Sequence, residues 1–576
     1  MASARGHALY QTSLSRGHLL KRVSLEEKRF RHSLRRYGHA DEVPAPEGSL
    51  EHKRAQLLEA ARLLAADIPI DTRRRTQEAD PAPLALRAIE IDPSIKFQTI
   101  VGFGGAFTEA ASIQFEKLAP EAKLVVLALY FTNAGLGYTL GRVHMNSCDF
   151  SPESYSFDDV HGDFDLSHFD DNVSHDQQKM IPFILAAQAV SLNKLQVFAS
   201  PWSPPAWMKV PVTPKGSSEA VQSMLNSADP RGLLPDPQVQ QAWANYFVRF
   251  IAAYKASGIN MWGVTVQNEP EFAAPWEACK YNASAEMEFV GNFLGPTLKG
   301  AFPDIKIFAF DHNKDALAMW TEAVFGDGSP ARDYLDGMGY HWYAGGMDRR
   351  LDGTQGYNNL KRAAQAMKSA DLSPKILLGT EGCNCPGIAR TEEISLFRAQ
   401  RIAHNLIADL NSHAQGWVDW NLILDQQGGP NHLGNFCDAP MALSRFDESL
   451  VSLQPMMFYM WHIEGFLPPG SQRVHWEWVS LESGYEPGAY KISGPSGALP
   501  GLEMTIGTCE SSSRQAWVLR ASGQLQVWDT IDDGYSGICV ASAPDKKLGG
   551  LLVTGCDSGL QGTFAFENGR IVLADD

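Results

Sequence analysis

MWGVTVQNEP, residues 261–270, is an apolar run that ends on a carboxylate, with an amide before it and a proline after it. A short apolar run bounded by polar sequence reads as a buried strand, and a proline stops it. Glu269 then stands at the strand's tip as a placed acid. Alone, the same letters would fit a solvated loop glutamate equally well. The rest of the chain repeats the pattern. TIVGFGGAFTE begins at 99, LGYTLGRVHMNS at 136 and LQVFASPWSP at 195. IKIFAFDHN follows at 305, LDGMGYHWY at 335, KILLGTEGCN at 375 and GWVDWNLILD at 416. Between these runs lie segments with helical spacing, such as QQAWANYFVRFIAAYKASG (240–258) and RAQRIAHNLIADLNS (398–412). Eight strands alternating with helices predict an α/β fold, a parallel sheet closed into a (β/α)8 TIM barrel.

Composition narrows the function. Apolar residues make up 44% and charged residues 20% of the 576, which is globular. The longest apolar stretches, LVVLALYF from Leu124 and IPFILAAQAV from Ile181, are too short to span a bilayer, so no transmembrane segment is expected. A net charge of -17 argues against nucleic acid as a partner, because phosphate binding needs a basic face. Residues 1–40 carry nine Lys/Arg against two Glu. Eight cysteines in a chain this long do not build the fold. Cys383-x-Cys385 lacks a second close Cys/His pair, so neither a metal nor a cofactor is expected.

Barrels of this kind keep their active site at the C-terminal ends of the strands. The runs end in Glu109, Asp149, Trp202, Glu269, Asp311, His341, Glu381 and Asp419. Glu269 falls on the fourth strand and Glu381, in KILLGTEGCN, on the seventh, so the two face each other across the mouth. Two facing carboxylates without a metal motif suit glycoside hydrolysis, in which one acid protonates the leaving oxygen and the other carboxylate attacks or activates water. Mechanism alone leaves open which does which. Asn268 can bond a sugar 2-hydroxyl. Trp202, Trp207 and Trp420 offer flat faces to a sugar ring. Asp149, Asp419 and Asn435 offer polar contacts to hydroxyls, and Tyr343 a hydrogen bond to the nucleophile. Arg142 and His341 read as supports for the carboxylates. The long segment 209–237, beside Trp202, reads as a gate and aglycone contact.

At these residues the chain resembles glycoside hydrolase family 30, most closely its glucosylceramidase (acid β-glucosidase) branch. GFGGAFTEAAS (102–112), GYTLGRVHMNSCDFSPESY (137–155), ASPWSPPAWMK (199–209), TVQNEP (265–270), HWY (341–343), GTEGCN (379–384) and GWVDWNLILDQQGGPNHLGNFCDAP (416–440) carry the likeness. QPMMFYMWHIEGFLPPGSQRV (454–474) completes it. The resemblance implies a retaining β-glucosidase without a cofactor, with Glu269 as acid/base and Glu381 as nucleophile. It implies Asp149, Trp202, Asn268, Tyr343, Trp420 and Asn435 around the sugar, with Arg142 and His341 behind them. It also implies a glycolipid or other β-glucoside substrate, an anionic lipid surface or activator as partner, and a lysosomal, secretory or extracellular location. The N-terminus shows no signal-peptide h-region. The competing readings are a β-1,6-glucanase and a non-catalytic sugar-binding protein; two intact carboxylates argue against the second. His144, His432 and Gln267 depart from the family pattern.

The expected organisation is a basic, helix-prone extension (1–80, with an amphipathic helix at 51–68) and a barrel at 99–474. Segments 81–98 and 475–508 are assigned to a side β-sandwich. An all-β tail at 509–576 resembles ricin-type lectin repeats through Gln515, Trp517, Cys539 and Cys556.

Overall fold

The computed structural model describes residues 87–191, 194–214, 216–343, 354–369, 374–444, 447 and 450–480, together with six short strands between 516 and 573. The expected extension at 1–80, with its helix at 51–68, lies outside the described residues. So do 81–86 and 481–515.

Eight parallel strands close into a barrel. In chain order they are β1 (Gly102–Ala106), β2 (Leu140–Met145), β3 (Gln196–Pro201) and β4 (Met261–Thr265). The rest are β5 (Lys306–Asn313), β6 (Gly337–His341), β7 (Ile376–Glu381) and β8 (Gly416–Asn421). All eight match the runs read from the sequence. Their apolar residues need not alternate, because helices cover one face and side chains fill the other. Within the barrel, Leu140, Phe198, Leu378 and Val418 form a small apolar cluster. Close approach at one seam demands glycine: a Cβ on Gly104 would sit 2.0 Å from the Leu140 carbonyl oxygen.

The outer helices form where the sequence supplies both a cap and a stripe. Asp236 caps the helix Pro237–Ala256 by accepting from the Gln238 N–H, and Trp243, Phe247, Phe250 and Tyr254 make its buried face. Thr391 caps the helix Glu392–Asn411 in the same way. Lys314 and Asp409, on different helices, form a buried ion pair at 2.6 Å.

Three strands depart from regular pairing at their C-terminal ends, at the mouth. The ladders skip Asp311 on β5, Thr380 on β7 and Trp420 on β8. A bulge adds a residue to one strand and re-aims the side chains beyond it. At β5 the backbone also turns left-handed, with φ of 75° at Phe310 and 56° at Asp311.

The chain divides into two units. The barrel falls within one, whose described part is 98–471. In the other lie residues 87–97 of the strand Arg87–Thr99, which pairs with Gln472–Ser480. The tail forms a four-stranded antiparallel sheet, from 516–519 to 551–555, and a hairpin of 564–567 with 570–573. Trp517 and Cys539 lie on its strands, whereas Gln515 and Cys556 lie outside the described residues.

Candidate active site

Glu269 sits just past β4 in a left-handed conformation, φ 47°, which a non-glycine residue adopts only under constraint. Neighbouring strands supply that constraint: the Glu269 N–H donates to the Asp311 carbonyl and the Asn268 N–H to the Pro201 carbonyl. Glu381 is the last residue of β7. Its Oε1 accepts from the Tyr343 hydroxyl at 2.9 Å, and its Oε2 accepts from Arg142 Nη1.

One imidazole joins the two acids. His341 Nδ1 lies 3.2 Å from Glu269 Oε1 and 4.0 Å from Glu381 Oε1, while its Nε2 faces Asp311 Oδ1 at 3.0 Å. The two Oε1 atoms therefore cannot lie further apart than the first two distances together. That limit admits the ~5–5.5 Å gap of retaining enzymes and also the short end, ~6.5 Å, of the inverting range.

Arg142, fully buried on β2, is the cation at the centre. It donates to Ser200, Asn268 and Asp311, each at 2.9 Å, besides Glu381. Its guanidinium also lies 4.8 Å from the Trp202 ring centroid and 5.4 Å from that of Trp420. Thr265 donates to Asp311 Oδ2 at 2.6 Å. Burial would raise the Asp311 carboxyl, but Arg142 and His341 hold it well below the usual carboxylate range. Burial would likewise keep His341 neutral; the carboxylates of Glu381 and Asp311 overcome this and push the imidazole up to about 9. At Glu269 too burial is outweighed, and hydrogen bonding to His312 and His341 draws its carboxyl well down. The carboxylate of Glu269 thus stands beside a protonated imidazole.

The sugar-contact candidates gather at the same mouth. Asp149 is buried and accepts from Asn435 at 2.9 Å; burial, only partly opposed by Asn435, pushes it up to about 8. Asp419 is also buried and pushed up to about 8. Trp202 and Trp420 differ from expectation. Their rings stack on each other at 5.1 Å, and only 2% and 3% of their surfaces are exposed. They join Phe150, Cys148, Cys383 and Cys437 in a separate apolar cluster, rather than lying open as two free faces. Trp207 is placed differently again, donating to the Asp158 carbonyl and packing on Phe164.

The three departures from the family pattern fix backbone. His144 Nε2 accepts from the Glu109 N–H, Gln267 donates to the Trp202 carbonyl, and His432 Nδ1 lies 2.9 Å from the Ser151 carbonyl, beside Asp149. The segment 209–237, expected as a gate, is pinned at its base. The buried Lys209 ammonium donates to the carbonyls of Met224, Asn226 and Ala278. A single cation can satisfy three carbonyls in this way, and sequence shows no sign of it.

Two groups carry more than the sequence reading assigned them. Asp311 was read only as a strand tip, yet it anchors Arg142 and His341. His312 was not singled out; its buried Nδ1 lies 3.7 Å from Glu269 Oε1. The letters DHN at the end of an apolar run were the available signal, but the bulge that aims them was not.

Residues 100–467 match the model of the glycosyl hydrolase family 30 TIM-barrel domain, and the chain belongs to that family of glycosidases. A Caenorhabditis elegans protein named provisionally as glucosylceramidase 3 is 38% identical over 395 residues, covering 67% of this chain and 70% of its own length. The lysosomal acid glucosylceramidase of Mus musculus is 33% identical over 396 residues, 67% of this chain and 71% of its own. An endo-1,6-β-D-glucanase of Trichoderma harzianum, BGN16.3, is 28% identical over 378 residues, 65% of this chain and 70% of its own.

Proposed function

We propose that this chain is a retaining β-glucosidase that releases glucose from glucosylceramide. The observation that carries the two-carboxylate reading is the gathering of Glu269 and Glu381 on His341 Nδ1, a geometry compatible with double displacement; membership of family 30 supplies the retaining assignment. Glu381, ion-paired with Arg142 and oriented by Tyr343, attacks the anomeric carbon. Glu269 protonates the departing oxygen, and the aglycone leaves a glycosyl ester on Glu381. A water that gives its proton back to Glu269 then hydrolyses the ester, restoring both groups. His341 suits this cycle because, protonated beside Glu269, it can pass Glu269 the proton that the acid step needs and take it back at the end. On this reading Asn268, held by Arg142, bonds the sugar 2-hydroxyl, and Asp149, Asp419 and Asn435 bond the other hydroxyls.

The lipid substrate is favoured because relatives at 33–38% identity carry the name glucosylceramidase, against 28% for the glucanase. No helix among the described residues is long and apolar enough to cross a membrane. On this reading the enzyme meets its lipid at an anionic surface. The test is glucose release from glucosylceramide dispersed with an anionic lipid, and from a β-1,6-glucan, by wild type and Glu381→Gln. Release from the lipid that vanishes in the variant supports the proposal. Release from the glucan alone moves the substrate and keeps the mechanism. Release by neither protein, with binding retained, overturns both.

A further inference from the structure

Three sulfurs gather beside the proposed nucleophile. Cys385 and Cys437, 52 residues apart, form a disulfide between the segment after β7 and the segment after β8. Cys383 is a free, buried thiol. Its Sγ lies 2.9 Å from Cys385 Sγ and 3.2 Å from the Tyr343 hydroxyl. All three sulfurs fall within 4.8 Å of one another. The sequence argued against a metal at Cys383-x-Cys385 for want of more ligands nearby; the fold brings in Cys437.

We propose that reduction of the Cys385–Cys437 bond turns this trio into a three-thiolate site for a soft, closed-shell cation such as cadmium, zinc or monovalent copper, and that the bound cation suppresses hydrolysis. A metal about 2.3 Å from each of three sulfurs spaces them about 4 Å apart, so the bonded pair has to open and the Cys383–Cys385 pair to widen by about 1 Å. Thiolates select such cations over magnesium or calcium. The balance is simple. A phosphine reduces the disulfide, taking its oxide oxygen from water, and the two water protons cap the two sulfurs. The cation then displaces thiol protons into solvent.

The link to catalysis runs through one hydroxyl. Tyr343 donates to Glu381 while its own oxygen lies beside the Cys383 thiol. A metal-bound thiolate has no proton to give. It can only compete with Glu381 for the Tyr343 proton. Loss of one hydrogen bond to a charged carboxylate slows hydrolysis by about tenfold to a hundredfold. This effect rests on the proposed role of Glu381; the binding does not.

The test uses the full chain, reduced with a phosphine, desalted and titrated with cadmium alone. Ultraviolet thiolate-to-cadmium absorption reports binding, and aryl β-glucoside hydrolysis is followed in parallel. Other thiols, including Cys148, Cys279 and those of the tail, give a background that Cys437→Ser shares. The expected result is one cadmium per chain beyond that background, absent from the oxidised protein, with hydrolysis lost about tenfold or more and restored by a chelator. Equal cadmium uptake by reduced wild type and Cys437→Ser overturns the site. Specific uptake that leaves hydrolysis intact overturns the inhibition. A wild type that never hydrolyses the glucoside would refute the glycosidase reading, while the absorption would still report on the site.

Discussion

Two protons stored in the mouth should make this fold more stable in acid. Asp149 and Asp419 are 4% and 3% exposed, and burial pushes both carboxyls up to about 8. In an unfolded chain each titrates near about 3.9. Between about pH 5 and 7 the folded protein therefore holds both protons and the unfolded chain holds neither. Stability must fall as pH rises through that window; this contribution is fully present below about pH 4 and gone above about pH 8. Each proton is worth about 1.4 kcal/mol per pH unit, and the pair about 2.7. With an unfolding entropy of about 2 cal/mol/K per residue over the barrel unit, the melting temperature should drop by about 3–4 °C per pH unit. His144, kept neutral by burial, works in the opposite direction below about pH 6.5. The double substitution Asp149→Asn, Asp419→Asn isolates the term, because an amide mimics the protonated acid and does not titrate. Thermal unfolding followed by tryptophan fluorescence at a fixed scan rate should show a flatter pH slope in the double variant. The same slope in both proteins would mean that the two aspartates are ionised in the folded state, and the reasoning fails.

Tyr343→Phe removes the donor 2.9 Å from Glu381 and should lower kcat/KM by about tenfold to a hundredfold with an unchanged circular dichroism spectrum. His312→Asn removes a partner that draws the Glu269 carboxyl down, so the alkaline limb of kcat/KM for glucosides with poor leaving groups should move to higher pH, while dinitrophenyl glucoside, which needs little protonation, keeps its profile. The same profile change for both substrates would separate His312 from proton transfer. Lys209→Met leaves three carbonyls without their cation, so segment 209–237 should be cut faster by trypsin, and aglycone preference should change while aryl glucoside hydrolysis persists. Joint loss of both activities would deny that segment a role in selecting the aglycone.

The barrel was legible because parallel strands covered on both sides must be short apolar runs, and because this chain ends each of them in polar or glycine-rich sequence. Glu269 and Glu381 were legible as strand-tip carboxylates, because each ends a buried run; the roles proposed for them came from their facing positions and the family resemblance. What Asp311 and His312 contact was not legible, because a skipped residue and two left-handed φ values aim these side chains, and neither leaves a pattern in the letters. The mutual stacking of Trp202 and Trp420 and the meeting of Cys385 with Cys437 join parts of the chain far apart in sequence, and residue type alone does not choose such partners. The pinning of segment 209–237 depended on a lysine burying its ammonium, which composition marks as rare.

Arg142 sits where its partners arrive from both halves of the barrel. Ser200 and Asn268 come from the β3 and β4 side, whereas Asp311 and Glu381 come from β5 and β7. A fragment ending after β4 would bury the guanidinium with no carboxylate, and the complementary fragment would bury two carboxylates with no guanidinium. Each would carry the desolvation cost of unpaired charge. Parting the barrel at that point separates the guanidinium from both of its carboxylates, and each half should be less stable alone than within the whole.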